Sequence, residues 1–201
     1  HGRSRREAEA QLETTLKNLQ TDYLDLWQVH DLRTREEVAA IGSPGGALEA
    51  FYRAKETGKV RFIGVTGHHD PEILRLAFRT YDFDTVLLPV NPAEPHYLSF
   101  LPVAQGAAAR GLGVIGMKVL CRGLLLQLYP EGLAFFLHYA LSQPVSVIVI
   151  GADTVAQVQE LITAAAAFTP MPPDRQQWLE DNLQAYARQV MYYKPQVGQG
   201  R

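Results

Sequence analysis

Apolar runs and amphipathic stretches alternate along the whole chain. The densest run, DYLDLWQVH at residues 22–30, carries Tyr23, Leu24, Leu26, Trp27 and Val29. β-branched, aromatic and aliphatic residues in so short a run predict a buried strand. Ahead of it, Ser4 with Glu7 three residues on reads as a capping box. That box opens a helix to about Leu19, with Ala8, Leu12, Thr15, Leu16 and Leu19 on one face. Residues 31–43 predict a polar loop with room for one helical turn. A helix follows over residues 47–57, with Gly58 as its natural stop. Residues 60–66 (VRFIGVT) predict the second strand. Asp70 and Pro71 then open a helix to about Thr80.

The third strand is predicted at residues 85–91, where Pro89 suits a bulge better than a strand interior. A helix over 98–110, a strand over 113–119 and a loop over 120–132 come next. They are followed by a helix over 133–142 and a strand over 146–150. Asp153 or Thr154 caps a helix to about Ala167. After Pro172 and Pro173 a last helix spans 174–191, with Trp178, Leu179, Leu183 and Tyr186 as its packing face, and the tail over 195–201 frays.

Short apolar strands alternating with helices make this an α/β chain with a parallel sheet covered by helices. An open nucleotide-binding sheet is expected to carry a glycine fingerprint after its first strand. Here the first strand runs into VHDLRT, and no GxGxxG or GxxxxGK[ST] occurs anywhere. The pattern therefore leans to a (β/α)8 TIM barrel, although five strands cannot close one and such barrels run to about 250 residues. Residues 1–170 are expected to form this partial barrel and 171–201 a helix and tail packed on it.

The chain has 201 residues, 47% of them apolar and 20% charged, which is globular composition. A net charge of −2 gives no long-range pull toward nucleic acid or an anionic membrane. The single cysteine, Cys121, excludes an internal disulfide or a multi-cysteine metal site, and it fits a reducing cytoplasm. No apolar run is long enough to span a bilayer as a helix.

Candidate chemistry gathers where strands end. His30 closes the first strand, where it would touch a substrate or be satisfied by a nearby backbone carbonyl. His68, His69 and His96 lie in loops, but their spacing is not a compact ligand set, so no metal is expected. His138 falls mid-helix and reads as structural. Cys121 has no adjacent histidine or acid to activate it.

Four blocks in order resemble the aldo/keto reductase family. LETTLKNLQTDYLDLWQVHD resembles the family's helix leading into a "TDYIDLYQLH" strand, and KVRFIGVTGH resembles "KIRYIGVSNF". GLGVIGMKVLCRGLLLQLY resembles "GIGVIAYSPLARGLLTGKY", and LSQPVSVIVIGADTVAQVQEL resembles "LSQPGVSVVIPGASSPEQLEEN". VNPAEPH with GMKVL is closer to bacterial branches. The resemblance covers residues 5–165 and implies the C-terminal five-eighths of an eight-stranded barrel, with three strands upstream of His1.

It also implies reduction of aldehydes or ketones by hydride transfer from NADP(H) or NAD(H). The partners would be a small carbonyl compound and neither nucleic acid nor membrane. Of the family's Asp, Tyr, Lys and His tetrad, only the histidine has a counterpart, His30. The chain alone is therefore expected to have little activity, and a non-catalytic relative that binds a dinucleotide or a protein is the alternative.

For the cofactor, the resemblance points to Thr66 and Asn91 at the nicotinamide carboxamide, with a turn role as the alternative for Asn91. Met117 stands where an aromatic ring stacks on the nicotinamide, or is a core residue. Lys118 and Arg122 would reach the pyrophosphate, although Lys118 could equally snorkel to the rim. Gly123 lets backbone come close. Gly151, Asp153 and Thr154 form a phosphate-binding turn at a helix start. Glu160 matches an adenine contact, while Asp153 would repel a 2′-phosphate. His68 stands where the family's "SNF" has an aromatic residue and by that resemblance lines the pocket. Near the chain's end, Tyr192, Tyr193 and Lys194 would lean over a cofactor.

Overall fold

A computed structural model describes residues 2–130 and 132–195. The tail expected to fray lies, beyond Pro195, outside the described residues. The elements in order are α1 (Arg5–Leu19), β1 (Leu24–Val29), α2 (Arg35–Gly42), α3 (Ala47–Glu56), β2 (Val60–Thr66), α4 (Pro71–Thr80) and β3 (Thr85–Pro89). Then come α5 (Leu101–Ala109), β4 (Gly113–Met117), α6 (Leu124–Leu128), α7 (Leu133–Leu141), β5 (Val147–Ile148), α8 (Val155–Ala166), α9 (Pro173–Leu183) and α10 (Ala187–Val190). The strands form one parallel sheet in the order β1-β2-β3-β4-β5. Strands that pair in chain order through helical crossovers make a singly wound sheet, the arrangement of a (β/α) barrel. No helix among the described residues is long and apolar enough to cross a membrane.

The chain divides into two compact units whose boundary, Val86 to Leu87, falls inside β3. In the first, the capping box forms as expected: Glu7 N–H donates to the Ser4 hydroxyl and the Glu7 carboxylate accepts from Ser4 N–H. Leu12 and Leu16 of α1, Phe51 of α3 and Ile63 of β2 are buried. The Trp27 ring stacks on Phe51 with centroids 3.6 Å apart. Gly64 has no room for a side chain, because a Cβ there would fall 2.2 Å from the Thr85 hydroxyl oxygen.

One expectation falls short here. Residues 31–43 hold the eight-residue helix α2 rather than a loop with one helical turn, because Thr34 caps it by accepting from Glu37 N–H, and Val38 and Ile41 are buried. Two apolar residues three apart suffice for a short helix once the cap is in place.

The second unit differs from expectation in several places; the strand expected over 146–150, for one, is only Val147–Ile148. Pro89 ends β3 rather than bulging its middle. The expected loop after β4 holds a tight turn at Cys121–Gly123 and then α6. The last helix breaks into α9, a short turn and α10. Trp178 and Tyr186 stay exposed, so only Leu179 and Leu183 of the expected packing face are buried. These two join Ala187, Val190 and Met191 in a core shared with Cys121, Leu125, Phe136 and Tyr139.

Candidate functional site

In the first unit, β1 and β2 run in register with Val29 opposite Val65, so their C-terminal ends finish side by side. His30 follows β1 and is exposed. Its backbone is tied to the start of the chain: the Arg3 guanidinium donates to the carbonyl of His30 (2.9 Å) and to that of Asp31 (2.8 Å). Asp31 is buried in the left-handed region (φ 52°). Its N–H donates to the Thr66 hydroxyl oxygen at 2.8 Å. One carboxylate oxygen takes two bonds from Arg33, at 2.6 and 2.7 Å. The other lies 3.4 Å from Nδ1 of His68.

Thr66, expected at a carboxamide, is thus 2% exposed with its hydroxyl oxygen bound to Asp31 N–H. It ties the two strand ends together. Sequence reasoning missed Arg3 and undervalued Asp31. An aspartate directly after a strand-end histidine was a readable signal, whereas nothing local marks Arg3, 27 residues from the carbonyl it holds.

The second unit contains a cleft of about 580 Å³. It opens where β4 and β5 end, a C-terminal edge of the kind that hosts ligands in parallel α/β folds. Its lining includes Met117, Lys118, Arg122, Gly123, Gly151, Asp153 and Glu160, together with Gln157 and Leu161. These seven of the expected cofactor residues come from three separate stretches of sequence. Lys118 sits one residue past β4 in a left-handed conformation (φ 58°), and Arg122 and Gly123 are left-handed too (φ 57° and 81°). The turn so made leaves nothing within 4 Å of a Cβ placed on Gly123 or Gly151, so both present open backbone to the cleft.

Thr154 does not line the cleft. It caps α8: its hydroxyl accepts from Gln157 N–H at 3.2 Å, and the Gln157 side-chain oxygen accepts from the N–H groups of Asp153 and Thr154. Several N–H groups that an anion could use at this helix start are therefore taken internally.

Asn91 is fully buried. Its amide nitrogen donates to the Lys118 carbonyl (3.3 Å) and the Tyr193 hydroxyl (3.1 Å), and its oxygen accepts from Ala93 N–H (3.0 Å). The turn role is the one its bonds describe. Beneath it Glu94 and Lys194 form a fully buried ion pair at 2.6 Å. Burial pushes the Glu94 carboxyl up and the Lys194 ammonium down, while each partner's charge opposes that drift. His96 and His138 donate from Nε2 to the backbone carbonyls of Glu180 and Ala164.

Comparison with known proteins places the family and the fold. A model of the aldo/keto reductase family matches residues 1–137. L-galactose dehydrogenase of Arabidopsis thaliana is 25% identical over 202 residues, covering 82% of this chain and 60% of that protein. The chain thus spans three-fifths of the curated relative. Among solved structures, the aldo-keto reductase AKR11C1 from Bacillus halodurans in its holo form superposes with a TM-score of 0.72 at 22% identity, covering 89% of this chain and 67% of that one. An aldo/keto reductase from Brucella melitensis superposes with a TM-score of 0.65 at 15% identity, covering 89% and 68%.

Proposed function

The chain belongs to the aldo/keto reductase family, and on that premise we propose that it binds a nicotinamide dinucleotide, NADP(H) or NAD(H), in the cleft of its second unit and serves the reduction of aldehydes or ketones to alcohols. The observation that carries this reading is the convergence of Met117, Lys118, Arg122, Gly123, Gly151, Asp153 and Glu160 on one cleft. Its volume, about 580 Å³, falls among those of ordinary ligand sites, about 300–1,000 Å³.

The dinucleotide, when bound, supplies the hydride. Lys118 and Arg122 neutralise its pyrophosphate, and Arg122 adds a planar fork of donors. Gly123 and Gly151 admit the ligand against bare backbone. Met117 packs on the nicotinamide face. Asp153, on the cleft wall, would face the adenosine end and repel a 2′-phosphate there, so NADH should bind at least as well as NADPH. His30 orients the substrate carbonyl by a hydrogen bond. It is fit for that task because Arg3 fixes the backbone that carries it.

No tyrosine, lysine or aspartate here matches the family's other catalytic positions. The cytoplasm is the compartment we assign, on the strength of the one free, buried cysteine.

The test is titration of the intact chain with NADPH and NADH by calorimetry. Saturable binding of both is expected, with Lys118→Met and Arg122→Met each weakening it about tenfold to hundredfold, the loss of a charge-assisted contact. No saturable binding of either dinucleotide sinks the reading.

A further inference from the structure

The cleft's two cations do not stand alone. The Arg122 guanidinium lies 4.9 Å from the centroid of the Tyr192 ring, and the Lys118 ammonium lies 5.8 Å from that of Tyr193. Both distances fall within the roughly 6 Å reach of a cation–π contact. Two consecutive residues near the C-terminal end thus underlie two cations that come from a different part of the chain.

The support is itself anchored. Lys194 is buried, and its ammonium donates to Glu94 (2.6 Å) and to the carbonyls of Tyr97 (2.7 Å) and Leu98 (2.9 Å). The Tyr193 hydroxyl donates to the other Glu94 oxygen at 2.8 Å. It also accepts from the Asn91 amide, which donates in turn to the Lys118 carbonyl. Tyr193 therefore reaches Lys118 twice, through its ring and through Asn91. The two rings also meet edge to face at 5.4 Å, which couples their positions.

We propose that Tyr192 and Tyr193 are positioning residues for the cleft: they hold Arg122 and Lys118 ready for an anionic ligand, and the buried Glu94–Lys194 pair fixes them there. This rests on the dinucleotide reading above and names the part of the ligand concerned, its pyrophosphate. Arg122 is exposed, and a long exposed cation loses rotamer freedom when it binds. A ring beneath it bears part of that cost beforehand. The Tyr192 hydroxyl makes no hydrogen bond among the described residues, so its ring carries the effect.

The test compares the intact chain with Tyr192→Leu, Tyr192→Phe, Arg122→Met and the double variant Tyr192→Leu/Arg122→Met. NADH, NADPH and adenosine, which lacks phosphate, are titrated by calorimetry. Tyr192→Leu is expected to weaken both dinucleotides about threefold to tenfold. Adenosine binding should not change, and Tyr192→Phe should bind as wild type. Tyr192→Leu should add nothing once Arg122 is Met, an outcome that general loosening of the fold does not produce. If Tyr192→Leu does not melt cooperatively, Tyr192→Met, apolar and flexible but without a π face, takes its place. Equal dinucleotide affinity in wild type and Tyr192→Leu, or full additivity with Arg122→Met, overturns the positioning role alone. Failure of the wild type itself to bind either dinucleotide overturns the dinucleotide reading and this role with it.

Discussion

Cys121 is fully buried in the left-handed region (φ 47°), with its thiol donating to the Lys118 carbonyl at 3.5 Å. Burial pushes that thiol up to about 12 from its ordinary 9.0, and the Glu94 carboxylate adds to the rise. The folded state then holds the proton more tightly than the unfolded chain does. Stability from this group is complete below pH 9 and is lost as the pH climbs toward 12, at about 1.4 kcal/mol per pH unit. Denaturant midpoints measured upward from pH 9 should fall, and Cys121→Ala should flatten the first part of that fall. Tyr139 and Tyr193, also raised chiefly by burial, act in the same direction from pH 10. The native thiol should also ignore a disulfide reagent at neutral pH and react only on unfolding. Rapid reaction of the folded chain would show that the thiol is neither buried nor protonated as described.

At the level of elements, α2 shows what a cap contributes. Only Val38 and Ile41 of this helix are buried. The bond from Glu37 N–H to the Thr34 hydroxyl is therefore a large share of what holds its first turn. Thr34→Ala should cost about 1 kcal/mol, and Thr34→Ser should restore most of it. For a chain of this size that is about 2–4 °C in the thermal midpoint, read by a calorimetric scan. A variant that melts with wild type would mean that α2 is held by packing alone. The same helix marks a limit of sequence reading. Strands such as β2 were legible because consecutive apolar residues with turn residues at both ends admit few other conformations. α1 and α4 were legible because cap and apolar face agree. α2 was read as one turn at most because its apolar face is two residues long and its cap lies within a charged stretch. The cleft residues were legible because two family-like blocks, 111–129 and 141–161, carry them. The clamp from Arg3 was not legible, and although Tyr192 and Tyr193 were placed near the cofactor, their contacts with Arg122 and Lys118 were not, since contacts so distant in sequence leave no local period or motif.

For the molecule as a whole, the open question of surface is set by the last strand and the helix after it. β5 ends the strand order and among the described residues pairs only with β4, and Val147 (49%) and Val149 (50%) are exposed. α8 has no buried residue among those described, and Val155 (75%), Val158 (44%) and Ile162 (62%) form an exposed apolar stripe along it. These three recur at helical spacing, so they share one face. A bare strand edge beside an apolar helix face is what proteins otherwise cover or charge. The chain at 22.4 kDa is therefore expected to self-associate as its concentration rises, seen by light scattering on a sizing column. Val158→Lys combined with Ile162→Lys should shift it toward the monomer. Both residues lie outside the cleft lining, so dinucleotide affinity should not change. A wild-type chain that stays monodisperse and monomeric at every accessible concentration would mean that this face is stable in water. The exposed valines would then be ordinary surface, and nothing about them would call for a covering partner.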